Sequence, residues 1–311
     1  MSRRMMNSTT RSTEILIVGG GPAGYTAGIY AARAGRKTAI LEGRGRSRLT
    51  VGYALENYPG FISIDSAELL RTFRAQAEHF GAVLFPEEAI DFNLPGPTKY
   101  VVSREQLYEA KAVVLATGKP VPRERLIRGE ERFLGQGVSY CATCDGPLYK
   151  GLTVAAYGAS EEAAEEVLAL HGMGCQVHWI PGESHDTEAA SAKAREVEEK
   201  GIPVHRRARI IEVRGEHGVE KLAIEKEGRE EELTVAALFV FRESLTSPLF
   251  QKAGLSLDHR QCLSVDRFQR TNIDGVFAAG DISCGGMQVV TAAAEGAVAA
   301  MQAINYVRRL A

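Results

Sequence analysis

Thr13-Glu14-Ile15-Leu16-Ile17-Val18-Gly19-Gly20-Gly21-Pro22-Ala23-Gly24 sets an apolar run directly ahead of a Gly-x-Gly-x-x-Gly loop, and a helical pattern follows to Ala34. Each glycine answers a separate demand. Gly19 permits the tight turn, Gly21 lets a pyrophosphate approach the backbone, and Gly24 lets the helix press against the strand. With Pro22 and Ala23 they form a helix N-terminus, whose unpaired amides and dipole favour phosphate. A second apolar stretch, Lys37 to Leu41, reads as the neighbouring parallel strand, and Glu42 ends it where an acid would bond ribose hydroxyls. A glycine loop alone is a weak signal. Strand, loop, helix, strand and terminal acid in this order specify an α/β dinucleotide-binding unit.

Two further segments bear on the same site. Val113-Val114-Leu115-Ala116-Thr117-Gly118 is an apolar strand ending in a small turn, and Gly275-Val-Phe-Ala-Ala-Gly280-Asp281 repeats that pattern late in the chain. Taken singly, each reads as a buried strand with its turn. In their joint order they resemble the flavoprotein disulfide reductases, which close these turns over FAD. The resemblance implies FAD contacts from Ala116, Thr117, Gly118 and Gly280, with Asp281 on the ribityl chain. The helix expected from Val289 to about Arg308 is rich in small residues, which suits close approach to a ligand or a neighbouring helix. Its N-terminus at Gln288 and Val289 suits an oxygen that gains negative charge on flavin reduction.

Cys141-Ala-Thr-Cys144-Asp145-Gly146 carries the chemistry. A Cys-x-x-Cys pair can bind zinc, staple a fold or exchange disulfides. Zinc needs more ligands, and Cys175, Cys262 and Cys284 stand apart without histidine spacing to complete a set. A staple is unnecessary in a chain able to bury its own core. Redox exchange is the reading that remains.

The segment Ser139-Tyr-Cys141-Ala-Thr-Cys144-Asp145-Gly146 is similar to the signature of the low-molecular-weight thioredoxin reductases. The resemblance runs from Ile15 to Tyr306 and includes Glu56-Asn57-Tyr58-Pro59-Gly60, similar to a flavin-contacting stretch of that family. It implies that Cys144 lies against the flavin, that Cys141 attacks the partner disulfide, and that Asp145 protonates the leaving thiolate. A helix start after the motif would lower the thiol pKa. The implied fold is α/β, two Rossmann-like three-layer dinucleotide-binding domains with the second inserted in the first. Residues 1–122 and 247–311 would form the FAD domain, and 123–246 an inserted domain of the NADPH-binding type carrying the cysteines. Pro120-Val121-Pro122 and Thr246-Ser247-Pro248 would be its hinges. The family implies a homodimer acting on thioredoxin or another small disulfide substrate.

The inserted domain departs from that family. Its loop reads Gly158-Ala159-Ser160-Glu161-Glu162, with Ser160 where a second glycine would admit a pyrophosphate. After the strand Val177 to Ile180, NADPH-dependent relatives place arginines for the extra ribose phosphate. Here Glu183 and Asp186 stand there, and Phe241-Arg242-Glu243-Ser244 replaces a glycine turn. In the FAD domain, Arg46-Ser47-Arg48-Leu49 replaces a Gly-Gly-Gln-Leu stretch that hugs the flavin, and Met287 replaces an arginine. Arg46 and Arg48 suit nucleotide phosphates, an acidic redox partner or plain solvation. These changes point to a member that does not use NADPH and draws electrons from ferredoxin or from a second FAD in the altered site. Tyr53, Tyr157 and Trp179 could stack on such a flavin or belong to core and rim. NADPH in an altered pose and an oxygen-using dithiol oxidase stand as alternatives, and Asp145 favours the reducing direction.

Composition sets outer bounds. Hydrophobic residues make up 45% and charged residues 24% of the 311, as in globular proteins. With 37 basic and 39 acidic residues the net charge of −2 offers no footprint for nucleic acid or an anionic membrane. No stretch reaches the roughly 18 apolar residues of a membrane span. Residues 1–12 read as a tail, not a secretory signal. Five cysteines with one close pair fit a reducing compartment, and a cytoplasmic location is expected. Cys175 and Cys262, the latter opening an expected strand Cys262-Leu-Ser-Val, read as buried small hydrophobes. Cys284 follows Asp281 closely, and its position alone gives it no redox role. His171, His178, His185, His205, His217 and His259 show no ligand spacing, and Thr187 to Lys200 reads as a helix with a solvated face.

Overall fold

The computed structural model describes residues 10–43, 47–51, 54–118, 126–182, 192–241, 248–258 and 261–310. Arg46, Tyr53, Glu183, Asp186, Arg242 and the linker residues 120–122, 246 and 247 lie outside that set. The chain divides into a split unit, Met1–Pro120 with Ser244–Ala311, and an inserted unit, Val121–Glu243.

At the centre of the split unit, strand Arg11–Val18 pairs in parallel with Thr38–Leu41 on one side and Leu107–Leu115 on the other, so that Ile17 faces both Ile40 and Val114. Val83–Phe85 extends the sheet beyond Thr38–Leu41, and Val276–Ala278 pairs in parallel with Leu107–Leu115. Lys99–Ser103 and Ala89–Asn93 continue it antiparallel. Because side chains alternate along a strand, the apolar runs serve two cores. Ile15, Ile17, Ile40 and Val114 pack under helices Pro22–Arg33, Ser66–His79 and Val289–Arg309. Leu16, Val18, Leu41 and Leu115 pack with Phe92, Tyr108 and Phe250 on the other face. Ile15, Leu16 and Ile17 are fully buried, each contributing about 2 kcal/mol by removal from water.

The central strand starts earlier than expected. Arg11 and Ser12 belong to it, because Arg11 Nε donates to Gln106 Oε1 at 2.7 Å and its guanidinium lies 4.3 Å from the Phe85 ring centre. Cross-strand partners supply what the local sequence lacks. Helix Val289–Arg309 opens on a capping box in which the Gln288 amide donates to Thr291 Oγ1 and the Gln288 side chain accepts from the Thr291 amide. A Cβ on Gly296 would stand 2.1 Å from the Ala23 carbonyl oxygen, so only glycine allows this helix to seat on Pro22–Arg33.

The inserted unit holds a parallel sheet in the order Val204–Arg206, Gln176–Gly182, Thr153–Tyr157, Ala237–Val240, Val138–Ser139. Ala155, Ile180 and Leu238 face an antiparallel layer, Ala208–Arg214, Lys221–Lys226 and Arg229–Thr234. Val154, Ala156, Trp179 and Phe239 face helices Glu161–Gly172 and Ala192–Glu199. The latter helix is not wholly solvated, since Ala194 and Val197 are buried in that core. Among the described residues no helix is long and apolar enough to cross a membrane.

Candidate functional site

In the split unit the three loop glycines behave differently. Gly19 sits at φ +127°, and a Cβ there would lie 2.1 Å from the Ala116 carbonyl oxygen; a Cβ on Gly24 would lie 1.9 Å from that of Gly19. Both are packing glycines. Gly21 has nothing within 4 Å of its Cβ position and caps helix Pro22–Arg33 without a side chain. No side chain caps the first turn, and Pro22 has no N–H to leave unsatisfied, so the donors there are the amides of Ala23 and Gly24. This cradle fits a dinucleotide pyrophosphate.

Other expected residues converge on the loop. Ala116 and Thr117 abut Gly19, and Gly118 follows at φ +66°. The Cβ position of Gly280 is 3.0 Å from Ala23 Cβ, and the Ala279 amide donates to the Leu115 carbonyl at 2.9 Å. Asn57 Nδ2 donates to Gln288 Oε1 at 3.3 Å, joining residues 231 positions apart, and Val289 packs against the core beside them. Glu42 ends its strand as expected, but its Oε1 already accepts from Tyr25 Oη at 2.6 Å and Arg74 Nε at 2.8 Å. Burial and the bond to Glu42 push the Tyr25 phenol up, keeping it a donor. Leu49 is core, 4% exposed, with its carbonyl accepting from Ser66 Oγ at 2.9 Å. Arg48 opens the short helical turn Arg48–Val51, and its side chain lies outside the described set.

Glu295 was not foreseen. Its Oε2 accepts from the Gly280 amide at 2.7 Å and from Ser283 Oγ at 3.0 Å, which fixes the turn carrying Asp281. Burial, aided by the Asp281 charge, raises its carboxyl above the ordinary range against the pull of those bonds. A small-residue helix that suddenly carries an acid was the available signal.

In the inserted unit the cysteine motif forms the turn Ala142–Asp145 itself, so the helical segment begins within the motif and not after it. Cys141 is disulfide-bonded and partly exposed, and the Cys144 side chain is outside the described set. Ser139 Oγ donates to Asp145 Oδ2 at 2.6 Å and accepts from the Cys141 amide at 3.1 Å. One hydroxyl thus sets both the acid and the backbone of the cysteine. Fully buried Glu130 accepts from the Tyr140 hydroxyl and the Ile127 amide, each at 2.8 Å, bracing the residue before Cys141. Nothing in the local sequence announced these two supports.

The inserted unit's glycine loop is built otherwise. Gly158 is a packing glycine, with its Cβ position 2.2 Å from the Phe241 carbonyl oxygen. Ser160 caps helix Glu161–Gly172, its Oγ accepting from the Ala163 amide at 3.2 Å, and is 9% exposed. One first-turn amide of this helix is thus satisfied by a side chain. Trp179 is 2% exposed and donates from Nε1 to the Gly158 carbonyl at 2.9 Å, so it is core and not a stacking platform; Tyr157 is half-buried against the other core.

The remaining cysteines and histidines bring corrections. Cys175 is free and buried, as expected, with its thiol pushed up by burial. Cys262 and Cys284 are joined in a disulfide, Cα–Cα 5.9 Å, and no strand forms at Cys262 beyond the isolated bridge of Leu263 with Leu257. His178 and His205 are not scattered: their rings stack, with Nδ1 and Nε2 2.9 Å apart, and burial lowers both pKa values. No group of three or more metal-ligating side chains occurs among the described residues.

Comparison with known proteins agrees with this geometry. The family model described as pyridine nucleotide-disulphide oxidoreductase matches residues 13–296. A thioredoxin reductase of Peptoclostridium acidaminophilum is 33% identical over 305 residues, covering 94% of this chain and 96% of its own. The structure of a thioredoxin reductase from Giardia duodenalis superposes with a TM-score of 0.85 at 31% identity, covering 96% of this chain and 99% of that one. A ferredoxin-flavin thioredoxin reductase from Clostridium acetobutylicum gives a TM-score of 0.52 at 30% identity, with 97% and 99% covered.

Proposed function

The chain belongs to the pyridine nucleotide-disulphide oxidoreductase family, as a flavoprotein disulfide oxidoreductase of the thioredoxin reductase type, and from that premise we propose that it reduces thioredoxin or a similar small disulfide protein without using NADPH. The observation that carries the proposal is Ser160, whose side chain closes the helix N-terminus that Gly21 leaves open in the split unit. Glu183 and Asp186 add negative charge to the sequence where an extra ribose phosphate would need arginine. Electrons then come from ferredoxin, directly or through a second FAD.

FAD would be held by the Gly19–Gly24 loop, the Ala116–Gly118 turn, Asp281 and the Gln288 helix start. Bound there, it supplies the two-electron store from which the Cys141–Cys144 dithiol is restored. The thiolate of Cys141 attacks one sulfur of the substrate disulfide, forming a mixed disulfide and breaking the substrate S–S bond. Asp145 gives a proton to the departing thiolate, and Ser139 holds the carboxyl for that transfer. Cys144 then attacks Cys141, closing the enzyme disulfide and releasing the second substrate thiol, protonated from solvent. Two electrons and two protons pass to the substrate.

Chemically reduced ferredoxin should support reduction of a thioredoxin disulfide, with Cys141→Ser lowering the rate by about 100-fold or more. A flavin-to-protein ratio near two after denaturation supports a second FAD, and a ratio near one supports direct donation by ferredoxin. Sustained turnover on NADPH overturns the proposal.

A further inference from the structure

The Cys262–Cys284 disulfide lies wholly in the split unit and ends three residues beyond Asp281. The segment it anchors has an uncomfortable backbone. Cys284 and Met287 adopt φ +57° and +49°, among glycines at +83° (Gly280) and +122° (Gly286). Non-glycine residues hold the left-handed region only when their surroundings impose it. The restraints on this turn include the Leu263 amide bonded to the Ile282 carbonyl at 2.9 Å, the Ser283 and Cys284 amides bonded to the Gly280 and Asp281 carbonyls at 2.9 and 3.1 Å, the Glu295 carboxylate on Gly280 and Ser283, and the disulfide. The disulfide is the restraint that chemistry can undo. Cys262 is 1% exposed, whereas Cys284 is partly exposed between Ser283 and the solvent-facing Gly285.

We propose that Cys262 and Cys284 form a second thiol–disulfide site, opened by a dithiol, whose oxidised form locks the Gly280–Asp281 turn around the flavin. The inference rests on the reading that this turn holds FAD. A thiolate of the dithiol attacks Cys284 Sγ, forming a mixed disulfide and releasing Cys262 as a thiolate that solvent protonates. The second thiol of the reagent, deprotonated, attacks the reagent sulfur of the mixed disulfide and releases Cys284, protonated in turn. The reagent leaves as a disulfide and the protein gains two electrons and two protons. A dithiol protein is also the product of the proposed reaction, so accumulating product would loosen the enzyme's own cofactor.

The test uses the full chain carrying Cys141→Ser and Cys144→Ser, which removes the other exchange centre. Alkylation in denaturant should label one thiol, Cys175, before dithiothreitol and three afterwards. FAD release, followed by the fluorescence of free flavin, should accelerate by about tenfold on reduction. Adding Cys284→Ser should give the fast release with or without dithiothreitol. Release at one rate in oxidised and reduced protein, or labelling of Cys262 and Cys284 without reductant, overturns the lock. Purification of every form without flavin overturns the functional reading beneath it and the lock with it.

Discussion

The two glycine loops of this chain start from the same plan and end in opposite states. Each follows a buried parallel strand, each opens a helix, and each uses its first glycine, Gly19 or Gly158, to pass close to a neighbouring backbone. They diverge two residues on. Gly21 puts no side chain on the helix N-terminus and has nothing within 4 Å of its Cβ position, whereas Ser160 folds its own oxygen onto the Ala163 amide. The strand–loop–helix frame is the same in both, because packing against the neighbouring backbone and capping of the helix rest on different positions of one loop.

The shared part of the plan predicts the largest effect. Gly19→Ala and Gly158→Ala each drive a Cβ into a carbonyl oxygen, and both should destabilise their unit by about 3 kcal/mol or more, seen as a loss of thermal stability. Equal tolerance of alanine at both would break the comparison at its root. Gly21→Ala should separate binding from folding, leaving the melting temperature unchanged while FAD affinity falls by about tenfold, or ~1.4 kcal/mol. At the matching place in the inserted unit, Ser160→Ala should cost about 1 kcal/mol as a lost cap, and Ser160→Gly only a few tenths, roughly, with flavin content unaltered by either.

The smallest effect concerns Glu295, which has no counterpart in the inserted loop. Its carboxyl is raised in the folded protein, so its contribution is present below the ordinary carboxylate range and lost as pH rises through the raised value. Glu295→Gln keeps an acceptor for Gly280 and Ser283. Its stability relative to the wild type should therefore improve from pH 4 to pH 8, by under about 1 kcal/mol because the group is only half-buried. Denaturant midpoints at both pH values check the sign.

Much of this organisation was legible in the sequence. Continuous apolar runs and glycine spacing gave the central strands, the first helix and the cradle, since both depend on local pattern. At Ser160 the pattern reads as a missing glycine, although a serine followed by two acids also signals a helix cap. The Cys262–Cys284 and His178–His205 pairs were illegible for another reason. Their members are brought together by a long turn or by adjacent parallel strands, at separations of 22 and 27 residues that carry no local periodicity. Arg11 likewise joins its strand through Gln106 and Phe85, which only the folded sheet supplies.

Anaerobic titration of the purified protein, followed by flavin absorbance, addresses the closed inserted loop most directly. NADPH in several-fold excess should leave the flavin oxidised while dithiothreitol bleaches it through the Cys141–Cys144 pair. Bleaching by a single equivalent of NADPH, within the time of one turnover, would contradict the account.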